Sequence, residues 1–318
     1  MRAPTAAVRS YLRRVVSERL DAYHLGYVLG PRVNAGGRVG GADLGARLLA
    51  TDDPGLAAEL AQRLDGYNRE RREIERATLE AAIELVERQN AESPVLVFAA
   101  AEGWHPGVIG IVAARLRERY ERPACVVALA DGIGRGSGRS IPGLALGSAV
   151  IAARQAGLLI NGGGHAMAAG FTVETTRLGA LRDFLAERAG TVLGSELLVP
   201  ELRIDGMLAP GAATPGLLDL VERLGPFGTG NAEPRFALAN LRVVKADVAA
   251  GQHVRCVLAD GAGKARVKAV AFRSLESELG PALLNGQGRA FHVAGHLRPD
   301  NWQGREDVQA YKAEQGQG

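Results

Sequence analysis

The sequence has 318 residues, enough for two or three domains, and its 47% hydrophobic and 23% charged residues are typical of globular proteins. No apolar run approaches the roughly 20 residues of a membrane span, and the N-terminus has no signal-peptide core, so a membrane protein is excluded and a cytoplasmic location is expected. The net charge of only +3 argues against the long basic stripe of a typical duplex-DNA binder.

The two cysteines and the charge distribution indicate which kinds of binding site the chain can contain. Cys125 and Cys256 lie in apolar, strand-like runs, so we expect buried hydrophobes and not a disulfide or metal ligands. Residues 94–195 contain 10 arginines and 7 acidic residues, a net +3, whereas the segments on either side are each neutral at 14 against 14. This excess gives weak support for an anionic ligand in the middle of the chain.

The first part of the chain predicts a helix over residues 5–20 and then a glycine-rich loop over residues 26–38. Three polar residues in this loop are candidate phosphate ligands: Arg32, Asn34 and Arg38. The planar fork of an arginine matches a phosphate group, whereas Asn34 has the alternative role of shaping its own turn.

A long helical pattern follows, beginning with Asp53 as the N-cap and Pro54 in the first turn. Apolar residues keep helical spacing as far as Leu85, so an unbroken helix to Gln89 would be about 54 Å long. Gly66 is a candidate point of bending, and we interpret the charged residues 69–76 as a solvated face. A helix of this length is suited to joining two domains.

Residues 94–195 predict an α/β domain, because buried strands alternate with helices. The strands are expected at 95–100, 124–130, 158–160 and 168–173, and the helices at 108–116, 146–155 and 178–188. Ligands of such domains bind in loops beyond the strand ends. Three segments carry suitable side chains: the turn with His105, a loop or short strand with Ser137, Arg139 and Ser140, and a glycine stretch ending at His165.

The glycine stretch, Gly162-Gly163-Gly164-His165, is the most informative motif. Consecutive glycines leave bare N–H groups that can hold a phosphate, and His165 would act there as a donor or general acid. A tight turn with a surface histidine is an equally good interpretation of the pattern alone.

The remaining residues, 196–318, predict a small all-β domain. Strand-like runs occur at 201–208, 236–248, 253–258, 265–272 and 290–297, with a short helix at 217–224. This spacing suggests a five-stranded barrel of the OB type, which often holds single-stranded nucleic acid on one face.

Several motifs resemble, in order, the RecJ family of single-strand-specific DNA exonucleases, within the DHH/DHHA1 phosphoesterase superfamily. They are Arg32-Val33-Asn34-Ala35-Gly36-Gly37-Arg38, Gly107-Val108-Ile109-Gly110-Ile111-Val112, Gly138-Arg139-Ser140, Gly163-Gly164-His165-Ala166-Met167-Ala168-Ala169-Gly170-Phe171, Pro226-Phe227-Gly228-Thr229-Gly230-Asn231 and Trp302-Gln303-Gly304-Arg305. Each is weak alone, but the ordered set from residue 23 to 309 is specific.

The resemblance implies a long connecting helix, a DHHA1-like α/β domain and an OB-like nucleic-acid-binding barrel. It also implies 5′→3′ hydrolysis of single-stranded DNA with Mn²⁺ or Mg²⁺, in DNA repair and recombination, with single-strand-binding protein and a helicase as candidate partners. Arg139 and His165 are the implied catalytic residues. The implied phosphate ligands are Arg32, Asn34, Arg38, His105, Ser137, Ser140, Gly163 and Gly164.

The sequence departs from the family in lacking an Asp-His-His run, and Gly36 replaces a usual alanine. We therefore expect the chain to represent the part that follows the metal-binding domain, to bind single-stranded DNA, and to hydrolyse little or none alone. Its polar C-terminus also predicts a short last barrel strand. Two alternatives remain: a phosphoesterase for short oligonucleotides or cyclic dinucleotides, and a non-catalytic binding module.

Overall fold

The computed structural model shows two compact units, residues 1–200 and residues 201–318. It describes residues 24–89, 95–193, 202–228, 230–275, 277–300 and 307–315. The helix expected over residues 5–20 and the motif at 302–305 lie outside the described residues. None of the helices that the structure describes is long and apolar enough to cross a membrane.

The segment expected to be a glycine-rich loop is helical, so that prediction is wrong. A π-helical turn, His24–Leu29, leads into α1, Gly30–Val39, and α2 follows at Leu44–Ala50. A Cβ on Gly36 would lie 2.6 Å from the Gly41 carbonyl oxygen and 3.2 Å from the Leu64 side chain. The missing side chain therefore permits close packing of a helix and does not mark a loop.

The long helix α3 spans Pro54–Arg88 without interruption, as the spacing of its apolar residues predicts. The Asp53 carboxylate caps it, accepting hydrogen bonds from the N–H groups of Gly55 at 2.7 Å and Leu56 at 3.3 Å. Gly66 does not divide the helix.

The α/β domain contains a five-stranded sheet with helices on both sides. Its elements are β1 Val97–Glu102, α4 Ile109–Tyr120, β2 Ala124–Ala130, β3 Ile133–Arg139, α5 Leu146–Gln155, β4 Asn161–His165, β5 Ala168–Glu174 and α6 Leu178–Leu193. The strand order is β1-β2-β3-β5-β4; β1 and β2 are parallel and the other pairs antiparallel. Helices α3 and α4 pack on one side of β1 and β2, and α5 and α6 pack on the opposite side of the sheet.

Two segments that carry candidate site residues are strands: the run with Arg139, for which a loop or a short strand is expected, and the glycine stretch, which is expected to be a loop. The run with Arg139 is β3, which pairs with β2 through a tight hairpin whose Asp131 and Gly132 have φ of 51° and 76°. The glycine stretch is the edge strand β4, three residues later than the strand expected at 158–160. It forms a strand because it pairs with β5 along its whole length, a partner that local sequence does not reveal.

The second unit is a closed barrel. Its elements are β6 Gly206–Leu208, α7 Pro215–Glu222, β7 Phe236–Ala249, β8 His253–Ala259, β9 Arg266–Ala271, α8 Leu279–Leu284, β10 Ala290–Asp300 and β11 Asp307–Gln315. The order β10-β11-β9-β8-β7 closes because β10 also pairs with β7. The strand expected over 201–208 shortens to β6, whereas the last strand, expected to be short, extends over nine residues because both β10 and β9 pair with it.

Both cysteines are buried, as predicted. Cys125 lies in the α/β core and Cys256 in the barrel core, and neither forms a disulfide. Burial raises the pKa of each thiol to about 12.

Candidate nucleic-acid interface

Alternating residues of β3, β5 and β4 form one side of the sheet, which we call the open face. It carries Arg135, Ser137 and Arg139 from β3, Ala168, Gly170 and Thr172 from β5, and Asn161, Gly163 and His165 from β4. The intervening residues face the opposite side, where Phe171 and Val173 join the core beneath α5 and α6. Directly paired residues of antiparallel strands share a face, so the register alone places these nine residues together.

The register places the two predicted catalytic residues in one cross-strand row. Arg139 pairs with Ala168, and Ala168 pairs with His165. Two strand spacings separate the first and last of these residues, about 10 Å between their Cα atoms. Ala168, which lies between them in the row, has a small side chain.

The next row, Ser137, Gly170 and Gly163, contains almost no side-chain bulk. A Cβ on Gly163 would have no atom within 4 Å, and one on Gly170 would meet only a carbonyl oxygen at 3.9 Å. A ligand can therefore approach the backbone of β4 and β5 closely at this row.

The Arg139 side chain folds back along β3 toward this second row. Its Nη1 donates to Ser137 Oγ at 3.1 Å and to the Gly138 carbonyl at 2.8 Å. The first turn of α4 lies beside it, because a Cβ on Gly110 would be 3.0 Å from Arg139 Nη2 and 3.1 Å from Ser137 Oγ. A larger residue at Gly110 would displace both groups.

Arg38, at the end of α1, and His105 both contact Gly107, which lies in the turn before α4. Arg38 Nη1 donates to the Gly107 carbonyl at 3.0 Å, and a Cβ on Gly107 would lie 2.1 Å from the Arg38 carbonyl oxygen. The Gly107 N–H donates to His105 Nδ1 at 3.0 Å. In the neutral imidazole the proton is therefore on Nε2, which leaves His105 as a donor from that atom.

Burial, and then the positive charge of Arg38, lower the pKa of Arg139. Burial likewise lowers the pKa of Arg71 on α3, where nearby Glu75 opposes the effect and Arg38 and Arg72 add to it. Arg38 is thus close enough to influence both other guanidinium groups. Because Arg71 is ion-paired with Glu75, Arg38 and Arg139 are the guanidinium groups of this set that attract an anion.

The prediction of a solvated face over residues 69–76 is confirmed for most of the charged residues there but is wrong for Arg71 and Glu75. The Arg71 and Glu75 side chains are only 12% and 17% exposed, and Arg71 Nη2 donates to buried Asn68 at 3.1 Å. Arg115 on α4 approaches Glu75 at 4.0 Å. A signal was present, since Asn68, Arg71, Glu75, Thr78 and Ala82 follow one another at three- and four-residue steps along the buried side of α3.

Several predicted ligands lie away from the open face. Ser140 is 1% exposed and its hydroxyl donates to the Leu144 carbonyl at 2.7 Å, so it has no access to a phosphate. Arg32 pairs with Asp65 of α3 at 2.9 Å. Asn34 is exposed one helical turn before Arg38, and Gly164 lies against β5, where a Cβ would be 2.3 Å from the Ala168 carbonyl oxygen.

The described residues contain no cluster of three or more histidine, cysteine, aspartate or glutamate side chains that could hold a metal ion. The polar groups of the open face and of the turn before α4 are instead of the types that bind anions. Guanidinium groups neutralise phosphate charge, glycine backbone permits close approach, and the two histidines supply further donors.

Comparisons with known proteins agree with the two units. Residues 92–191 match the DHHA1 domain and residues 204–312 match the RecJ OB domain. The single-stranded-DNA-specific exonuclease RecJ of Escherichia coli K12 is 34% identical over 303 residues, which cover 93% of this chain and 49% of that protein. The enzyme of the same name from Bacillus subtilis 168 is 33% identical over 289 residues, 90% of this chain and 36% of that protein.

The fold comparison gives the same result. RecJ from Thermus thermophilus, crystallised with Mg²⁺, superposes with a TM-score of 0.78 at 26% identity, over 97% of this chain and 46% of that chain. Its complex with Mn²⁺ gives a TM-score of 0.76 at 29% identity, over 97% and 44%. The chain spans about half the length of the curated relatives it matches first. It therefore carries a DHHA1 domain followed by a RecJ OB domain and resembles, over this span, the RecJ family of exonucleases.

Proposed function

We propose that this chain supplies the DNA-binding and scissile-phosphate-binding part of a RecJ-type exonuclease. The reaction is metal-dependent hydrolysis of phosphodiester bonds, 5′→3′ along single-stranded DNA, in repair and recombination. The main support is the row that joins Arg139 to His165 across Ala168, beside the bare backbone of Gly163.

Arg139, His165 and Gly163 of the open face each have a role that fits the residue type. Arg139, held by Ser137, neutralises charge that develops on the scissile phosphate. His165 donates a hydrogen bond or a proton to the same group. Arg38 adds positive charge from the end of α1 and His105 adds a donor from the turn before α4, and Gly163 allows the phosphate to reach the strand.

We expect the residues that bind Mn²⁺ or Mg²⁺ to lie outside the described residues of this chain. RecJ structures contain one or the other ion, and the described residues of this chain contain no group of the required kind. We expect the purified chain to bind single-stranded DNA with little or no hydrolysis. Incubation of a 5′-phosphorylated oligonucleotide with Mn²⁺ tests this, and release of mononucleotides in proportion to chain concentration would contradict it.

The binding experiment compares the wild-type chain with Arg139→Ala. Binding of a 3′-fluorescein-labelled single strand is measured by anisotropy, with a duplex of the same sequence as competitor. Loss of a hydrogen bond to a charged group costs roughly 1.5–3 kcal/mol, so affinity should fall about 10- to 100-fold. The magnitude of the logarithmic salt slope should fall by about 0.7 for each phosphate that the variant no longer neutralises.

The matched control is Arg182→Ala, which removes an exposed arginine of α6 that pairs with its neighbour Asp183. Its affinity should equal that of the wild type. Equal affinity of Arg139→Ala and Arg182→Ala, or a preference for duplex over single strand, would refute the assignment.

A further inference from the structure

A cleft of about 330 Å³ lies at the start of β3, beside the open face and apart from the row of Arg139 and His165. Trp104 and Pro106 from the turn before α4 line one side, and residues 128–130 of β2 with Ile133 line the other. Asp131 and Arg135 are its charged groups. Pockets for small ligands typically measure about 300–1,000 Å³ and are mostly apolar with a few placed polar groups, as here.

Arg135 connects this cleft to the row of Ser137. Arg135 is exposed, and in the part of the chain that the structure describes its guanidinium group has no hydrogen-bond or ion-pair partner. It lies one two-residue step of β3 from Ser137, a distance of roughly 6.6 Å between Cα atoms. The Cα atoms of Arg135 and Arg139 are two such steps apart, about 13 Å. The Arg139 guanidinium is nearer to Arg135 than this, because it folds back to bond Ser137.

We propose that Arg135 and the cleft form a second nucleotide subsite. Arg135 binds the phosphate next to the one held at Arg139, and the base of that nucleotide enters the cleft against Trp104 and Ile133. This inference rests on the proposed function, because it takes the ligand of the open face to be single-stranded DNA.

The charges and surfaces of the cleft set the orientation of the nucleotide. Asp131 lines the cleft and repels a phosphate, whereas Arg135 attracts one at the opening onto the open face. An aromatic ring and aliphatic side chains favour the flat face of a base, and stacking of bases on aromatic rings is a common source of affinity for single strands. Such stacking is tolerant of sequence, so the subsite suits an enzyme that acts on any base.

The test uses the tryptophan of the cleft as a reporter. The chain has two tryptophans, so Trp302→Phe in the full chain leaves Trp104 as the sole source of indole emission. This variant is titrated with thymidine 5′-monophosphate and with 5′-phosphorylated thymidine oligonucleotides of two and four residues. We expect the emission of Trp104 to change with the oligonucleotides and to remain constant with the mononucleotide.

Arg135→Ala, in the same background, should weaken binding of the oligonucleotides about 10-fold, because a charge-assisted hydrogen bond to phosphate is removed. Affinity for the mononucleotide, which Trp104 emission does not report and which is measured by isothermal titration calorimetry, should not change. Arg139→Ala should weaken both, and Arg182→Ala neither. Since Arg135 has no partner in the described part of the chain, the melting temperature of Arg135→Ala should equal that of the wild type.

The outcomes separate this inference from the proposed function. If the wild-type chain binds none of these ligands, both fail. If Arg139→Ala weakens binding while Arg135→Ala leaves it unchanged, or if Trp104 emission is constant, the second subsite is overturned and the proposed function stands. Equal weakening of mononucleotide and oligonucleotide by Arg135→Ala would place Arg135 at the first phosphate and also overturn the inference.

Discussion

Replacing Gly163 with alanine separates the stability of β4 from access of a ligand to the open face. A Cβ at this position has no atom within 4 Å, and the backbone is outside the left-handed region. Alanine restricts the unfolded chain more than glycine does, so Gly163→Ala should raise the free energy of unfolding by about 0.4–1 kcal/mol. For a unit of this size the melting temperature should rise by roughly 1–4 °C.

The same methyl group should weaken DNA binding, because it occupies the space through which a phosphate reaches the strand. Loss of one charge-assisted hydrogen bond from the backbone costs about 1.5–3 kcal/mol, or roughly a 10- to 100-fold loss of affinity. A gain in stability accompanied by a loss of affinity is the signature of a glycine retained for close approach of a ligand.

Two further glycines provide matched controls. Gly162, its neighbour in β4, faces the core, where a Cβ would lie 2.8 Å from Val150. Gly162→Ala should therefore destabilise the unit by about 1–3 kcal/mol. Gly179→Ala on α6, where a Cβ also has no atom within 4 Å, should leave DNA affinity unchanged.

Thermal unfolding followed by circular dichroism and binding followed by fluorescence anisotropy measure the two quantities on the same samples. If Gly163→Ala is as stable as the wild type or more stable and binds single-stranded DNA equally well, no ligand approaches β4 closely. The role given to the open face would then be wrong.

Three other substitutions or treatments test the fold. Asp53→Ala removes the cap of α3 and should cost about 0.5–2 kcal/mol in denaturant unfolding, whereas Asp52→Ala, at an exposed neighbour, should cost nothing measurable. Gly107→Ala places a Cβ 2.1 Å from a carbonyl oxygen and should cost about 1–3 kcal/mol, and an unchanged melting temperature would contradict the close contact with α1. Cys125 and Cys256 should resist thiol reagents until the chain unfolds. Each thiol has a pKa of about 12 in the folded chain and near 9.0 in the unfolded chain, so the free energy of unfolding should decline as pH rises above 9.

The sequence alone determined the helices and strands that are specified by residues close together in the chain. Asp53, Pro54 and the regular apolar spacing were sufficient to predict α3, and continuous apolar runs were sufficient for β1 and β2. Alternating strands between turn residues predicted most of the barrel, and the apolar surroundings of the cysteines predicted their burial. In each case neighbours in the chain carry the information, through capping, periodicity or side-chain type.

Only the tertiary structure decided which polar residues face the same way. Arg139 and His165 are far apart in sequence and share a row solely because both β3 and β4 pair with β5, and a register shifted by one residue would place them on opposite faces. Ser140, adjacent to Arg139, turns to the core for the same reason, since successive side chains of an extended segment alternate. Arg71 is largely removed from solvent because α4 packs against α3, a contact between segments about 40 residues apart. The three- and four-residue spacing along α3 marks a buried side but does not specify what covers it.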